Sequence, residues 1–433
     1  MVRVEWILGH DSWRTASAQG LALPAKIYAP TAQEALSLLR LAVRNDHEAT
    51  VKHLMDCLMD SRSVHYGRLL VDAMSLRWTL LMCAAWHNSY RAAAVLLHAK
   101  AQVDLHGPRE TDVCVMGDST CSPVLQAALQ GHASMVRLLI EAKANVHEED
   151  TRDNVTVLKA AAAGGDVECV RLVLECKANV NACDGTALTR AAQGGHVGAV
   201  RVLLEAGAWV DHPSADVTPL TAAVRGNAVV VVSVLLEAKA NVRTEDGDGW
   251  TPLAVAALEG NEACVSVLVR AKADVNERDD DGKTPLFHAS ESYSAHAARR
   301  LVKFKADVNA VDRTQHMPLY YATRSESAAT VALLLAAKAL VDAVDRRTRT
   351  ALYYAALNLG ENAKEILHLL LDAKANVTSK VQDLCPRESW HAAVAKGNEA
   401  VAAMLFDAAV ERNQWRAVRA IGQLIRDGRV AGN

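Results

Sequence analysis

A leucine returns every 33 residues through the second half of the chain, at Leu220, Leu253, Leu286, Leu319 and Leu352. Equal intervals of this length do not arise in a single globular core. They require a stack of like units, each burying its apolar face against its neighbour. The sentence around each leucine is also repeated. Gly249 to Asn276 reads GWTPLAVAALEGNEACVSVLVRAKADVN. Thr251 is a helix N-cap, and Pro252 takes the first helical position, where a missing N–H costs nothing. Leu253, Ala256 and Ala257 give this short helix a small-residue face, and Gly260-Asn261 ends it. Val265, Val267, Leu268 and Val269 form a second, more apolar helix that stops at Ala271-Lys272-Ala273. Asp274-Val275-Asn276 leads into a turn before the next Gly-x-Thr-Pro-Leu at Gly282.

The leucine column continues less evenly towards the N-terminus through Leu39, Leu81, Val124, Leu158 and Leu188, and onward to Trp390. A 33-residue unit opening on Thr-Pro-Leu, with two helices and a turn, resembles the ankyrin repeat. The resemblance covers about eleven units over residues 37–410, the first and last degenerate. It implies an all-α solenoid of helix-turn-helix units with short β-hairpin fingers, elongated and curved. Residues 1–36 show no repeat. Val2, Val4 and Trp6 alternate with polar neighbours as in one short strand, and the segment reads as a cap or docking element. Residues 411–433 carry Trp415, Val418, Ile421, Leu424 and Ile425 at amphipathic spacing and read as a C-terminal helix or cap. The interval from Leu81 to Val124 is 43 residues, which places a long loop at Leu105–Cys121. The interval from Leu158 to Leu188 is only 30, so the finger near Cys183-Asp184 should be stunted. In unit ten an enlarged turn is expected at Leu359–Asn362.

Composition narrows the functional classes. Net charge is −3, so no general attraction to nucleic acid or to an anionic membrane is expected. No run of 18 apolar residues occurs, and residues 1–20 lack an uninterrupted apolar stretch of signal-peptide type. Nine cysteines, without paired C-x₂-C spacing, fit a reducing compartment, the cytoplasm or the nucleus. Cys169 and Cys264 share one core column, where burial explains them. No phosphate-binding glycine loop, H-E-x-x-H or G-x-S-x-G appears, so neither enzyme chemistry nor a metal or cofactor is expected.

Two departures from the family pattern stand out. The glycine that usually follows the second helix survives only as Gly207. Lysine replaces it at Lys100, Lys143, Lys177, Lys239, Lys272, Lys305, Lys338 and Lys374. If that position is left-handed, each lysine costs on the order of 1 kcal/mol against glycine. The histidine of Thr-Pro-Leu-His remains only at His391. Phe287, Tyr320 and Tyr353 occupy its place near the C-terminal end, where packing can stand in for its hydrogen bonds.

The resemblance implies a protein-interaction scaffold or adaptor that grips a partner protein on the concave face. The alternative is a regulatory subunit, such as a ubiquitin-ligase substrate receptor or an enzyme inhibitor. It further implies contacts from fingertip positions before the leucine and from positions at the end of the first helix. These map to Asp248, Trp250 and Glu259, then Asp280 and Asp281, then Arg313 and Arg324, then Arg346, Arg347 and Arg349. Trp86 and His87 take the equivalent helix-end positions near the N-terminus. Acidic residues therefore gather in units seven and eight and basic ones in nine and ten. Trp250 is expected in solvent at a tip. The partner expected is a protein segment carrying both charges, bound to a monomer, without nucleic acid and without membrane insertion.

Overall fold

The computed structural model describes residues 32–60, 79–105, 122–147, 149–150, 155–211, 217–292, 295–358, 360, 362–377, 399–415, 418–419 and 423. The strand expected at Val2–Trp6, most of the loop expected at Leu105–Cys121, the anchor Trp390 with His391, and most of residues 411–433 lie outside them. The chain divides into two compact units, residues 1–191 with 198–208, and residues 192–197 with 209–433.

The first unit is built from helix pairs. These are α1 (Ala32–Arg44) with α2 (Glu48–Asp60), α3 (Leu80–His87) with α4 (Tyr90–His98), α5 (Pro123–Leu129) with α6 (Ala133–Glu141), and α7 (Val157–Gly164) with α8 (Val167–Glu175). α9 (Ala182–Gln193) begins in this unit, and α10 (Val197–Glu205) follows it. First helices stack on first helices, as α3, α5 and α7 do. Second helices stack on second helices, as α4, α6 and α8 do. The column leucines lie in the resulting core, Leu39, Leu81, Val124, Leu158 and Leu188 all being buried. α1 starts at Ala32, so the first repeat reaches back into the segment expected to be a separate N-terminal extension. A two-stranded finger, β1 (Glu149–Asp150) against β2 (Val155–Thr156), precedes α7, with Glu149 opposite Thr156. At the 30-residue interval the finger gives way to helix: α9 begins at Ala182 and runs for 12 residues.

The second unit continues the pattern with longer regularity. Its pairs are α11 (Pro219–Arg225) with α12 (Val229–Glu237), α13 (Pro252–Leu258) with α14 (Glu262–Arg270), α15 (Pro285–Glu291) with α16 (Ala295–Lys303), α17 (Pro318–Arg324) with α18 (Ala328–Ala336), and α19 (Ala351–Leu357) with α20 (Ala363–Asp372). α21 (Glu399–Glu411) closes the unit against α20. There the Arg412 guanidinium donates to the carbonyls of Leu371 and Ala375. The turn between α19 and α20 is longer than its counterparts, as its sequence implies.

Both ends of the helices follow from the repeated phrase. Thr218, Thr251 and Thr350 each accept a hydrogen bond from the N–H three residues on, satisfying one of the helix's open donors. At the other end every one of the eight lysines is left-handed, with φ between 62° and 72°. Each closes a two-bond C-terminal motif. The Lys272 N–H reaches Val269 O and the Ala273 N–H reaches Leu268 O, both at 3.0 Å, and Ala273 tucks into the core. The Asp-Val-Asn phrase then joins neighbours. Asn276 Oδ1 accepts from the Asp307 N–H at 2.8 Å, and Asn309 Oδ1 from the Leu340 N–H at 2.8 Å. Asp342 Oδ1 accepts from the Asn376 N–H at 2.7 Å. These joints tie each loop to the next and supply repeat-to-repeat hydrogen bonds that the missing histidines do not.

Candidate functional site

The fingers of units seven to ten are each organised by one aspartate, seven residues before the column leucine: Asp246, Asp279, Asp312 and Asp345. In each, the aspartate N–H donates to the carbonyl four residues on, closing the hairpin at 3.0 Å. The carboxylate then folds back over the turn. Asp312 Oδ1 accepts from the N–H groups of Thr314 and His316, both at 2.8 Å. The same double acceptance recurs at Asp246, Asp279 and Asp345. A carboxylate that satisfies two backbone donors holds the fingertip in one conformation.

In units eight to ten the second oxygen of the aspartate is met by a side chain nine residues on, in the middle of the first helix. Asp279 Oδ2 lies 2.9 Å from His288 Nε2. Asp312 Oδ2 accepts from the Tyr321 hydroxyl at 2.7 Å, and Asp345 Oδ2 from the Tyr354 hydroxyl at 2.7 Å. In unit seven that position is Val255, which cannot donate. There Arg225 of the preceding repeat reaches Asp246 Oδ2 at 2.8 Å instead. Burial raises the carboxyls of Asp279, Asp312 and Asp345. The hydrogen bonds from His288, Thr314, Tyr321, Tyr354 and the backbone outweigh it, and all three stand below the ordinary value. Burial, followed by the partner aspartate, pushes the Tyr321 and Tyr354 hydroxyls well upward.

Aromatic contacts then join finger to finger. Phe287 is fully buried and meets Tyr321 edge-on at 5.6 Å. His316 stacks on Tyr320 at 3.8 Å and lies edge-on to Tyr321 and Tyr354. Its ring sits between two carboxylates, 3.8 Å from Asp312 and 3.4 Å from Asp345. Burial nonetheless holds its pKa below the usual imidazole value, against the pull of both aspartates. The aromatics expected to replace the lost histidines do pack, Phe287 in the core, Tyr320 half-buried against it and Tyr353 half-buried against Tyr354.

The expected contact residues fall into three groups. Asp248, Glu259, Asp280 and Asp281 are exposed on fingers seven and eight and the end of α13; Arg313, Arg324, Arg346 and Arg347 are exposed on fingers nine and ten and the end of α17. Charge is thus sorted along the row in the order read from sequence. Two residues differ from expectation. Trp250 is half-buried, its ring 5.0 Å from His288 of the next repeat, so it has a folding reason to be at its tip. Arg349 is committed internally. Its Nε and Nη2 reach Asp345 Oδ2 at 2.8 and 2.7 Å, and its guanidinium lies 4.7 Å from the Tyr354 ring centroid. Trp86 and His87 lie in the first unit at the end of α3. Trp86 is half-buried, its carbonyl 3.2 Å from His132 Nε2, and His87 is exposed.

Two features were missed in the sequence. The aspartate column is legible there as a 33-residue period with His288, Tyr321 or Tyr354 nine residues on. The other is an apolar substitution in the inter-repeat loops, where Asn241, Asp274 and Asp307 stand in other units. Trp209 and Leu340 replace them and are 47% and 56% exposed. A cleft opens between fingers nine and ten, lined in part by Gln315, Met317, Tyr320, Leu340 and Val344.

Among the described residues, no cluster of His, Cys, Asp and Glu is placed to hold a metal ion, and no helix is long and apolar enough to cross a membrane. Cys169 and Cys264 are buried in the core. Burial pushes the Cys264 thiol up to about 11; burial, with Asp166 and Glu168 nearby, pushes that of Cys169 up to about 12.

No curated protein matches the chain. The family model for ankyrin repeats matches three successive stretches, residues 124–214, 209–279 and 271–345, which together span just over half of it. Such repeats are general protein–protein interaction modules. With the period, the paired helices, the fingers and this match in agreement, the chain belongs to the ankyrin-repeat family.

Proposed function

We propose that the protein is a scaffold or adaptor that binds a partner protein across the fingers and first helices of units seven to ten, on the concave face of the array. One observation carries this reading. Four fingers, each locked by its own aspartate, hold exposed charge in a fixed order, acidic on seven and eight and basic on nine and ten. Rigid presentation lowers the ordering cost of association, and separated patches of opposite sign orient a partner with the reverse pattern and speed its encounter. Trp250 adds an apolar edge beside the acidic fingers.

The test uses a partner recovered on the full chain. Asp280→Lys with Asp281→Lys, and separately Arg346→Glu with Arg347→Glu, are expected to lower the association rate about tenfold at low salt, with a flatter salt dependence. Unchanged kinetics in both, together with loss of binding in Trp86→Ala with His87→Ala, would move the site to the first unit and overturn the assignment.

A further inference from the structure

The cleft between fingers nine and ten is the part of this face whose chemistry is most specific. Its floor and walls come from Gln315, Met317 and Tyr320 on one side and from Leu340, Val344 and Arg349 on the other. Leu340 stands in a loop position where Asn241, Asp274 and Asp307 use their side chains to accept an N–H two residues on. Leucine cannot make that bond, and here it is 56% exposed. An apolar side chain has replaced a turn-forming one and faces water.

The tips of the two fingers are basic. Arg313, Arg346 and Arg347 are exposed, and their side chains make no ion pair among the described residues. Arg313 lies toward finger eight, its N–H donating to Asp281 O and its side chain beside Gly282, so the exposed cations nearest the cleft are those of finger ten, Arg346 and Arg347. The carboxylates within the two fingers are already engaged. Asp312 is taken by Thr314, Tyr321 and two backbone N–H groups, and Asp345 by Arg349, Tyr354 and two more. Asp342, on the loop beside them, accepts from the Asn376 N–H. The four arginines of the two fingers therefore outnumber their two aspartates, and the excess sits at the tips.

We infer that this cleft takes an acidic, extended peptide segment of a partner protein. Its carboxylates meet Arg346 and Arg347, and one apolar side chain packs against Leu340. This rests on the reading of the finger face given above and assigns fingers nine and ten the acidic half of the partner. Charge complementarity selects the segment, and the exposed leucine fixes its register.

The experiment is selection from a displayed random 12-residue peptide library on the full-length protein. Recovered peptides are then measured by fluorescence anisotropy. The expected result is enrichment of peptides rich in Asp and Glu around one apolar residue. Their affinity should fall at least tenfold in Arg346→Glu with Arg347→Glu and about fivefold in Leu340→Asn. The second change restores the residue type common at that position and so leaves folding intact. Recovery of basic peptides that lose binding only in Asp280→Lys with Asp281→Lys would overturn this inference while leaving the finger face as the binding face. Absence of acidic enrichment would overturn it. So would acidic peptides indifferent to both arginines, or equal binding of single-stranded DNA, which would reduce the fingertips to a general polyanion surface.

Discussion

Removing the Asp312 carboxylate should unlock finger nine and release its hold on Tyr321 of α17. Asp312 accepts four hydrogen bonds, from the Thr314 and His316 N–H groups at 2.8 Å and from the Thr314 and Tyr321 hydroxyls at 2.7 Å. Hydrogen bonds to a charged group are each worth about 1.5–3 kcal/mol, and an orphaned buried donor costs about 1–3 kcal/mol. The Thr314 hydroxyl is exposed and recovers water. The Tyr321 hydroxyl is buried and does not. Asp312→Ala is therefore expected to cost about 3–4 kcal/mol, while Tyr321→Phe, which leaves the two backbone bonds intact, costs about 1–2 kcal/mol. In a solenoid, coupling runs between neighbours and opening is regional, so the readout is amide exchange of residues 308–325 and of the flanking units. Asp312→Ala should speed exchange there by about 100-fold or more, with a smaller rise in units eight and ten and none in α11–α12. A rise below about fivefold would show that the hairpin's backbone bonds hold the finger unaided, and the aspartate column would lose its role.

Lys272→Gly relieves a left-handed lysine at φ 70° and should stabilise by about 0.5–1 kcal/mol; a loss in regional exchange protection would remove the strain argument. Thr348 is a β-branched residue at φ 60°, where two equivalent fingertips have Gly249 and Gly282, so Thr348→Gly should gain about 1 kcal/mol in the same assay. Because the folded pKa of His316 is lowered, the unfolded chain binds its proton first as pH falls. Protection of fingers nine and ten should thus be full above about pH 6.5 and decline below it, and His316→Phe should flatten that decline. The lowered carboxyls of Asp279, Asp312 and Asp345 predict a second loss beginning below about pH 4, as each is titrated through its folded value. Trp250→Ala should loosen fingers seven and eight by about 1–2 kcal/mol, since it removes the contact with His288; an effect on partner affinity with no change in exchange would show a tip made for binding alone.

The fold was legible because a repeat states its period many times. Thr-Pro-Leu marks where each first helix begins, and the lysine after each second helix marks the left-handed stop, which all eight adopt. The short interval before Leu188 announced a stunted finger, where the structure has helix instead, and the sequence at 359–362 announced the longer turn before Ala363. Exposure was less legible. Trp250 reads as a solvent residue from its position at a tip, yet the side chain that covers it, His288, lies 38 residues on. Arg349 reads as a free charge until Asp345, four residues before it, is seen to fold back over the turn. Both depend on side chains converging across a turn or between repeats, which a one-dimensional pattern does not display. The aspartate column was visible as a period, but its meaning required the hydroxyl or imidazole nine residues on to arrive at the second oxygen.

The aspartate-locked fingers are proposed as the binding face. The most direct measurement is the hydrogen-exchange footprint of a bound partner on the full-length protein. Protection is expected at residues 246–250, 279–283, 312–316 and 345–349 and at the ends of α13 and α17, with the exposed faces of α14, α16 and α18 unchanged. Protection confined to those second helices, or to α3 around Trp86 and His87, would contradict it.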